Sequence, residues 1–188
     1  MLRRLKEFGK YIAIAGFRDV KIADVERFLD AVKSKMGLNV EFQFFNAKLV
    51  ATWQHLYFAS LNALTAFKNK DNISKSLAME IMLYASAQRQ IRKAMELIGI
   101  KKGVSEIAVL VIGEDAEKVD SALSYIAELV DAKRDDKVLM LSEEKIRALR
   151  KAFEISDVEI EAVISKGGLE KAVVDLVIER MALLSTRR

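Results

Sequence analysis

Residues 105–112 read SEIAVLVI, and from Ile107 onward the run is apolar without alternation. A short run that is apolar toward both faces fits a strand in the middle of a sheet. Residues 11–17 (YIAIAGF) form a second strand. Residues 40–45 (VEFQFF) set Val40, Phe42 and Phe44 on one face, the pattern of a half-buried strand. Residues 137–140 (KVLM) are expected to add a short last strand. Between residues 17 and 40, Val25, Leu29, Val32 and Met36 recur at helical spacing, with Gly37 as the C-terminal cap. Residues 115–132 read as another helix. This order predicts an α+β fold: a two-layer sheet-and-helix domain with a helical insertion and a helical tail. It is read as one domain over 1–188, the tail occupying 141–188.

The insertion begins with a long helix. Trp53, Tyr57, Ser60, Leu64 and Phe67 form one stripe, and His55, Ala59, Asn62 and Ala66 a second, mostly small one that admits a close helical neighbour. Residues 68–72 (KNKDN) are a loop, after which Ser74 or Asn72 caps the next helix. Leu77, Ile81, Tyr84, Ile91, Met95 and Ile98 then continue one apolar stripe, with a break expected near residues 86–88 and Gly99 closing the segment. In the tail, Ser142 is a cap, with Leu141 and Ile146 as its staple. Ser156 and Glu159 have capping-box spacing, stapled by Ile155 and Ile160. Gly167 and Gly168 precede a last helix over 169–184.

Composition narrows the function. With 52% hydrophobic and 31% charged residues the chain can bury a core and is not disordered. No run approaches the ~18 apolar residues of a membrane span, and the start, MLRRLKEF, lacks the apolar core of a secretory signal. A soluble, cytoplasmic protein is expected, and the Lys/Glu-rich composition hints at a thermophile. No cysteine is present, which excludes disulfides, thiolate metal sites and cysteine nucleophiles, and the single histidine, His55, cannot build a histidine metal cluster. No metal and no cofactor are expected.

Charge is unevenly distributed. The net charge is +4, yet residues 67–102 alone hold eight Lys/Arg against three acids, +5, leaving −1 elsewhere. A local excess points to an anionic partner. The tail, 141–188, has nine bases and nine acids. Its three helices therefore make a poor duplex-DNA reader, because phosphate contacts supply most of such affinity. Gly167 and Gly168 lack the further glycine and the Lys-Ser/Thr pair of a phosphate loop and read as a turn. His55 has no acid partner at i±3 or i±4 and reads as a packing residue rather than a general base. Only Asp175 is polar between Ala172 and Ile178, so the last helix needs burial on more than one side. It belongs to the chain's own core, with some of Val173, Val177, Ile178 and Met181 left for a partner.

The strongest candidate site is the start of the helix after residues 68–72. A capped helix N-terminus offers N–H groups and a positive dipole end. Asn72 and Ser74 add polar groups, Lys70 and Lys75 add charge, Arg89 and Arg92 close the far side, and Ile73 offers an apolar rest for a base.

The residues of this region resemble a known family. His55-Leu56, Ala59, Ala63, Asn72-Ile73-Ser74-x-Ser76-Leu77, Glu80-Ile81, Gln90-Ile91, Ala94 and Gly99-Ile100 are similar to the kinase-binding small subunit of the KEOPS complex, the CGI-type or TPRKB family. The resemblance covers about residues 10–130 and is most specific over 55–100. It implies a non-catalytic subunit of the complex that makes threonylcarbamoyladenosine in tRNA. Such a subunit binds and regulates a small atypical kinase, meets the threonylcarbamoyl transferase subunit indirectly, and in archaeal complexes captures the single-stranded CCA end of tRNA. On that basis tRNA binding is carried onto Lys70, Asn72, Ile73, Ser74, Lys75, Arg89 and Arg92. The motif supports Asn72, Ile73 and Ser74; the basic residues follow from charge. Glu80 is read as structural, orienting Arg89 or Gln90. Two other readings stand beside this one: a purely structural kinase adaptor without tRNA binding, and an enzyme on a phosphorylated small molecule using His55.

Overall fold

The computed structural model describes residues 1–35, 40–164 and 167–186. In chain order the elements are β1 (Leu2–Leu5), β2 (Lys10–Arg18), α1 (Val25–Lys35), β3 (Val40–Asn46), α2 (Trp53–Asn69), α3 (Leu77–Ser86), α4 (Ile91–Ile98), β4 (Ile107–Gly113), α5 (Ala116–Val130), β5 (Lys133–Arg134), α6 (Glu143–Ala152), α7 (Asp157–Val163) and α8 (Gly168–Ala182). The fold is α+β, built on one antiparallel sheet. Met36 and Gly37, at the expected end of α1, lie outside the described residues. The chain divides into two compact units, residues 1–47 with 100–138 and residues 48–99 with 139–188.

The first unit holds the sheet, ordered β1-β2-β4-β3 with β5 also on β2. β4 is the central strand, paired as Leu110 to Ile14 on one side and Val109 to Phe44 on the other. All of β4 is buried, as its unbroken apolar run predicts. One sheet face, with Ala13, Ala15, Phe17, Phe44, Val109 and Val111, shares a core with Val32 of α1 and Val119, Leu123 and Ile126 of α5. Phe44 meets Phe28 and Phe42 edge-on, at centroid distances of 5.1 and 5.6 Å. α5 starts where Asp115 accepts the Glu117 and Lys118 N–H groups.

The sheet differs from expectation at its far edge. β1 adds a strand within the opening residues, and its exposed Arg3 and Arg4 suit an edge. The expected strand over 137–140 is instead a 3-10 turn, Asp136–Leu139, and the paired strand is β5, Lys133–Arg134. Aspartates cause the difference. Asp136 Oδ1 accepts the Gly16 N–H at 2.9 Å, where a strand would offer a carbonyl, and Asp135 Oδ1 accepts the Lys137 N–H. Gly16 permits this approach: a Cβ there would lie 2.4 Å from Val138 Cγ2 and 2.8 Å from the Asp135 carbonyl.

The second unit is helical. α2 packs along α3 and α8, and α3 along α4. Its small residues Ala59, Ala63 and Ala66 are buried, as a close helical approach requires. Ile146, Leu149, Phe153, Ile160, Val173, Leu176 and Val177 form the core of α6, α7 and α8. Ser142 caps α6, and Ser156 with Glu159 forms the expected capping box at α7. Arg180 of α8 donates to Glu159, fastening α7 to α8. The α3 stripe does not continue through α4. The turn at Ala87 (φ 52°) resets the phase, so α4 buries Ala94 and Ile98 while Ile91 and Met95 face solvent.

Candidate nucleic-acid interface

α2 ends at Lys70, whose backbone is left-handed (φ 60°, ψ 28°). The Lys70 N–H donates to Phe67 O and the Asp71 N–H to Ala66 O, which satisfies the last carbonyls of α2. The chain then turns through residues 71–76 into α3. The cap of α3 is Ser76, whose hydroxyl accepts from Met79 N, rather than Ser74 or Asn72.

Those two residues shape the loop instead. Asn72 Nδ2 donates to Ser74 O at 2.9 Å, and Ser74 Oγ accepts the Ser76 N–H at 3.2 Å. Glu80, fully buried on α3, reaches back to the same loop. Its carboxylate accepts the Ile73 N–H at 3.0 and 3.1 Å and the Ser74 N–H at 2.7 Å. The Ile73 and Ser74 N–H groups, which a helix capped by Asn72 would offer to an anion, are therefore already bonded to a carboxylate of the chain itself. Glu80 is structural as expected, but it holds the loop backbone.

The loop displays what remains. Lys70, Ile73 and Lys75 are exposed, Asn72 is half-buried and Ser74 is buried. Ile73 and Arg89 line one hollow of about 250 Å³, together with Asn62, Thr65, Asn69 and Tyr84. Arg89 Nη1 also donates to Leu184 O in the last turn of the chain. Burial, and less strongly the Glu80 charge, raises the pKa of the Tyr84 hydroxyl above its ordinary value. Arg92, on the first turn of α4, is exposed and pairs with Glu96 at 3.8 Å. Of the seven expected residues, the structure brings Ile73 and Arg89 together in the hollow. Asn62, Thr65 and Asn69 were not foreseen as site residues, although their i, i+3, i+7 spacing marks one polar row on α2.

His55 is not poised for catalysis. Its Nδ1 accepts the Ala51 N–H at 3.1 Å and its Nε2–H donates to Ala85 O at 2.8 Å, which fixes the neutral tautomer. Phe153 lies edge-on to the ring. Burial lowers the histidine pKa to about 4. Both ring nitrogens are committed to backbone groups.

A second concavity, about 610 Å³, lies in the same unit and is lined by Trp53, Phe58, Met140, Val174 and Ile178 among others. Of the α8 residues left for a partner, Val173, Val177 and Met181 are fully buried. Of those four residues Ile178 lines the groove, beside Val174 of the same helix. Among the described residues no helix is long and apolar enough to cross a membrane.

Comparison with known proteins decides the family. The model of the kinase-binding protein CGI-121 family matches residues 17–185.

The chain belongs to that family.

The CGI-121 match runs through the tail helices, beyond the stretch that carries the resemblance most strongly. A relative, the regulatory protein Cgi121 of Methanocaldococcus jannaschii, is 40% identical over 119 residues, 63% of this chain and 74% of its own length. The loop and the groove thus belong to a member of a kinase-binding family.

Proposed function

We propose that this protein is the non-catalytic, kinase-binding subunit of a KEOPS complex and that it captures the single-stranded CCA end of tRNA. The observation that carries the second half is the hollow beside the 71–76 loop. At about 250 Å³ it is smaller than the ~300–1,000 Å³ of drug-sized sites, and it suits one planar ring system. Ile73 offers an apolar surface for a base, Arg89 a guanidinium plane, and Asn62 and Asn69 amides for base edges. Single-stranded RNA ends are held by such contacts together with backbone charge. Lys70, Lys75 and Arg92 stand exposed around the loop to meet phosphates. Asn72 and Ser74 act from behind, by shaping the loop.

Regulation of the small atypical kinase, and through it the threonylcarbamoyl transferase subunit, requires a docking face. The groove offers Trp53, the exposed Phe58 and Met140, and Ile178 of α8. We assign the kinase to this face.

Fluorescence anisotropy with intact tRNA and with tRNA trimmed of its CCA end tests the RNA half. Trimming abolishes binding if the hollow takes the end. With three exposed cations on phosphates, the log–log salt slope is about −2. Equal binding of both RNAs reduces the contact to non-specific charge. No binding of either leaves a kinase adaptor without tRNA binding.

A further inference from the structure

We infer that Glu80 is a positioning residue of the RNA-binding loop: its buried carboxylate fills the anion hole formed by the Ile73 and Ser74 N–H groups and holds the loop in its ligand-ready shape. The inference rests on the RNA-capture reading above and goes beyond it, because Glu80 touches no RNA.

The geometry is specific. Glu80 is fully buried, on the first turn and a half of α3, where the helix dipole favours a negative charge. Both of its oxygens reach loop N–H groups, at 2.7 to 3.1 Å. Hydrogen bonds from N–H groups to a carboxylate are stronger than neutral ones, and a buried carboxylate without them is costly. The carboxylate and the loop therefore hold each other. Two consequences follow for a ligand. A phosphate cannot use these N–H groups, since a fixed carboxylate occupies them and repels it. The loop is ordered before RNA arrives, so Ile73 stands at the hollow without an ordering cost on binding. Recognition is divided: the hollow reads a base, and the phosphates are left to the exposed lysines and arginine.

Glu80→Gln keeps the length of the side chain but removes the charge and puts an NH2 in place of one acceptor oxygen: with the carbonyl at the Oε2 position the NH2 faces the Ile73 donor, and in the other orientation it faces both donors. The full-length protein is titrated with a fluorescent single strand ending in CCA, and binding of the partner kinase is measured in parallel. Amide exchange is followed at Ile73 and Ser74 and, as a reference, at Val109 and Val111 in β4. The expected result is a loss of RNA affinity of about tenfold or more with kinase binding retained. Exchange rises at Ile73 and Ser74 and not in β4. Exchange that rises everywhere together marks Glu80 as a general fold residue and overturns the inference, as does unchanged RNA affinity in a folded variant. Should Glu80→Gln fail to fold, the wild-type protein still decides: Ile73 and Ser74 amides that exchange at unprotected rates before RNA is added sink the proposal. If wild-type protein binds no CCA strand at all, the capture reading fails first, and slow exchange at the two amides then reports only on the clamp.

Discussion

The single histidine gives the pH dependence of this protein's stability between pH 5 and 6.5 one identifiable side chain. His55 is held neutral by the Ala51 N–H and the Ala85 carbonyl, and burial lowers its pKa from 6.5 to about 4. The unfolded chain binds that proton first as pH falls. The neutral ring therefore contributes fully above pH 6.5, and its contribution is lost as pH drops from 6.5 toward 4. The loss amounts to about 3 kcal/mol. Urea unfolding of wild type and of His55→Gln at pH 7.5 and pH 4.5 measures it as the difference between the two proteins, because the Met1 amino group and Glu159 also titrate differently in the folded chain. His55→Gln is expected to lower stability at pH 7.5 and to flatten the curve between pH 5 and 6.5, where no other histidine titrates. A wild-type curve already flat there contradicts the buried neutral ring. The residue scale is also where the sequence was least explicit. Nothing in the spelling of residues 72–80 says that a carboxylate six and seven positions away bonds the Ile73 and Ser74 amides, because that contact needs the loop to fold back over α3.

Helix ends show which signals are local. Ser142 and the Ser156–Glu159 box were legible because donor and acceptor lie within one turn of each other. The cap of α3 was misplaced because three hydroxyl or amide residues compete within residues 72–76, and Glu80 claims two of the N–H groups. The short strand at 137–140 failed for a related reason: the Asp136 side chain takes the Gly16 N–H, and the Asp135 side chain takes the Lys137 N–H within the 3-10 turn. Central strand β4 was plain, since its apolar run suits nothing else in an α+β chain. Among the described residues, four turns place non-glycine residues in left-handed backbone where N–H groups close a helix end: Lys70, Ala87, Asp131 and Glu154. Each costs roughly 1 kcal/mol relative to a residue free of Cβ clash. Lys70→Gly is accordingly expected to raise stability by about 0.5 kcal/mol, part of the gain being offset by unfolded-chain entropy. The same change removes one of the charges proposed to meet phosphate, so RNA affinity is expected to fall while the melting temperature rises. Opposite signs in one variant separate a binding role from a folding role; parallel losses contradict it.

At the scale of the molecule, the basic excess of residues 67–102 was visible by counting, but the apolar groove was not. Phe58, Met140 and Ile178 are far apart in sequence, and only the packing of α2, α8 and the segment before α6 gathers them. Met140, 65% exposed, contributes little to the fold. Met140→Glu is expected to leave unfolding and CCA-strand binding unchanged while weakening the kinase complex by about tenfold or more. Unchanged kinase affinity moves the docking face elsewhere.

The groove also contains Trp53, the single tryptophan of the chain, set edge-on to Tyr57 at 5.9 Å. The protein thus carries its own optical reporter. Indole emission follows the polarity around the ring, so a partner seated there shifts or quenches a signal that no other residue contributes. Docking can be titrated without a label, with the tyrosines left unexcited at the red edge of the absorption band.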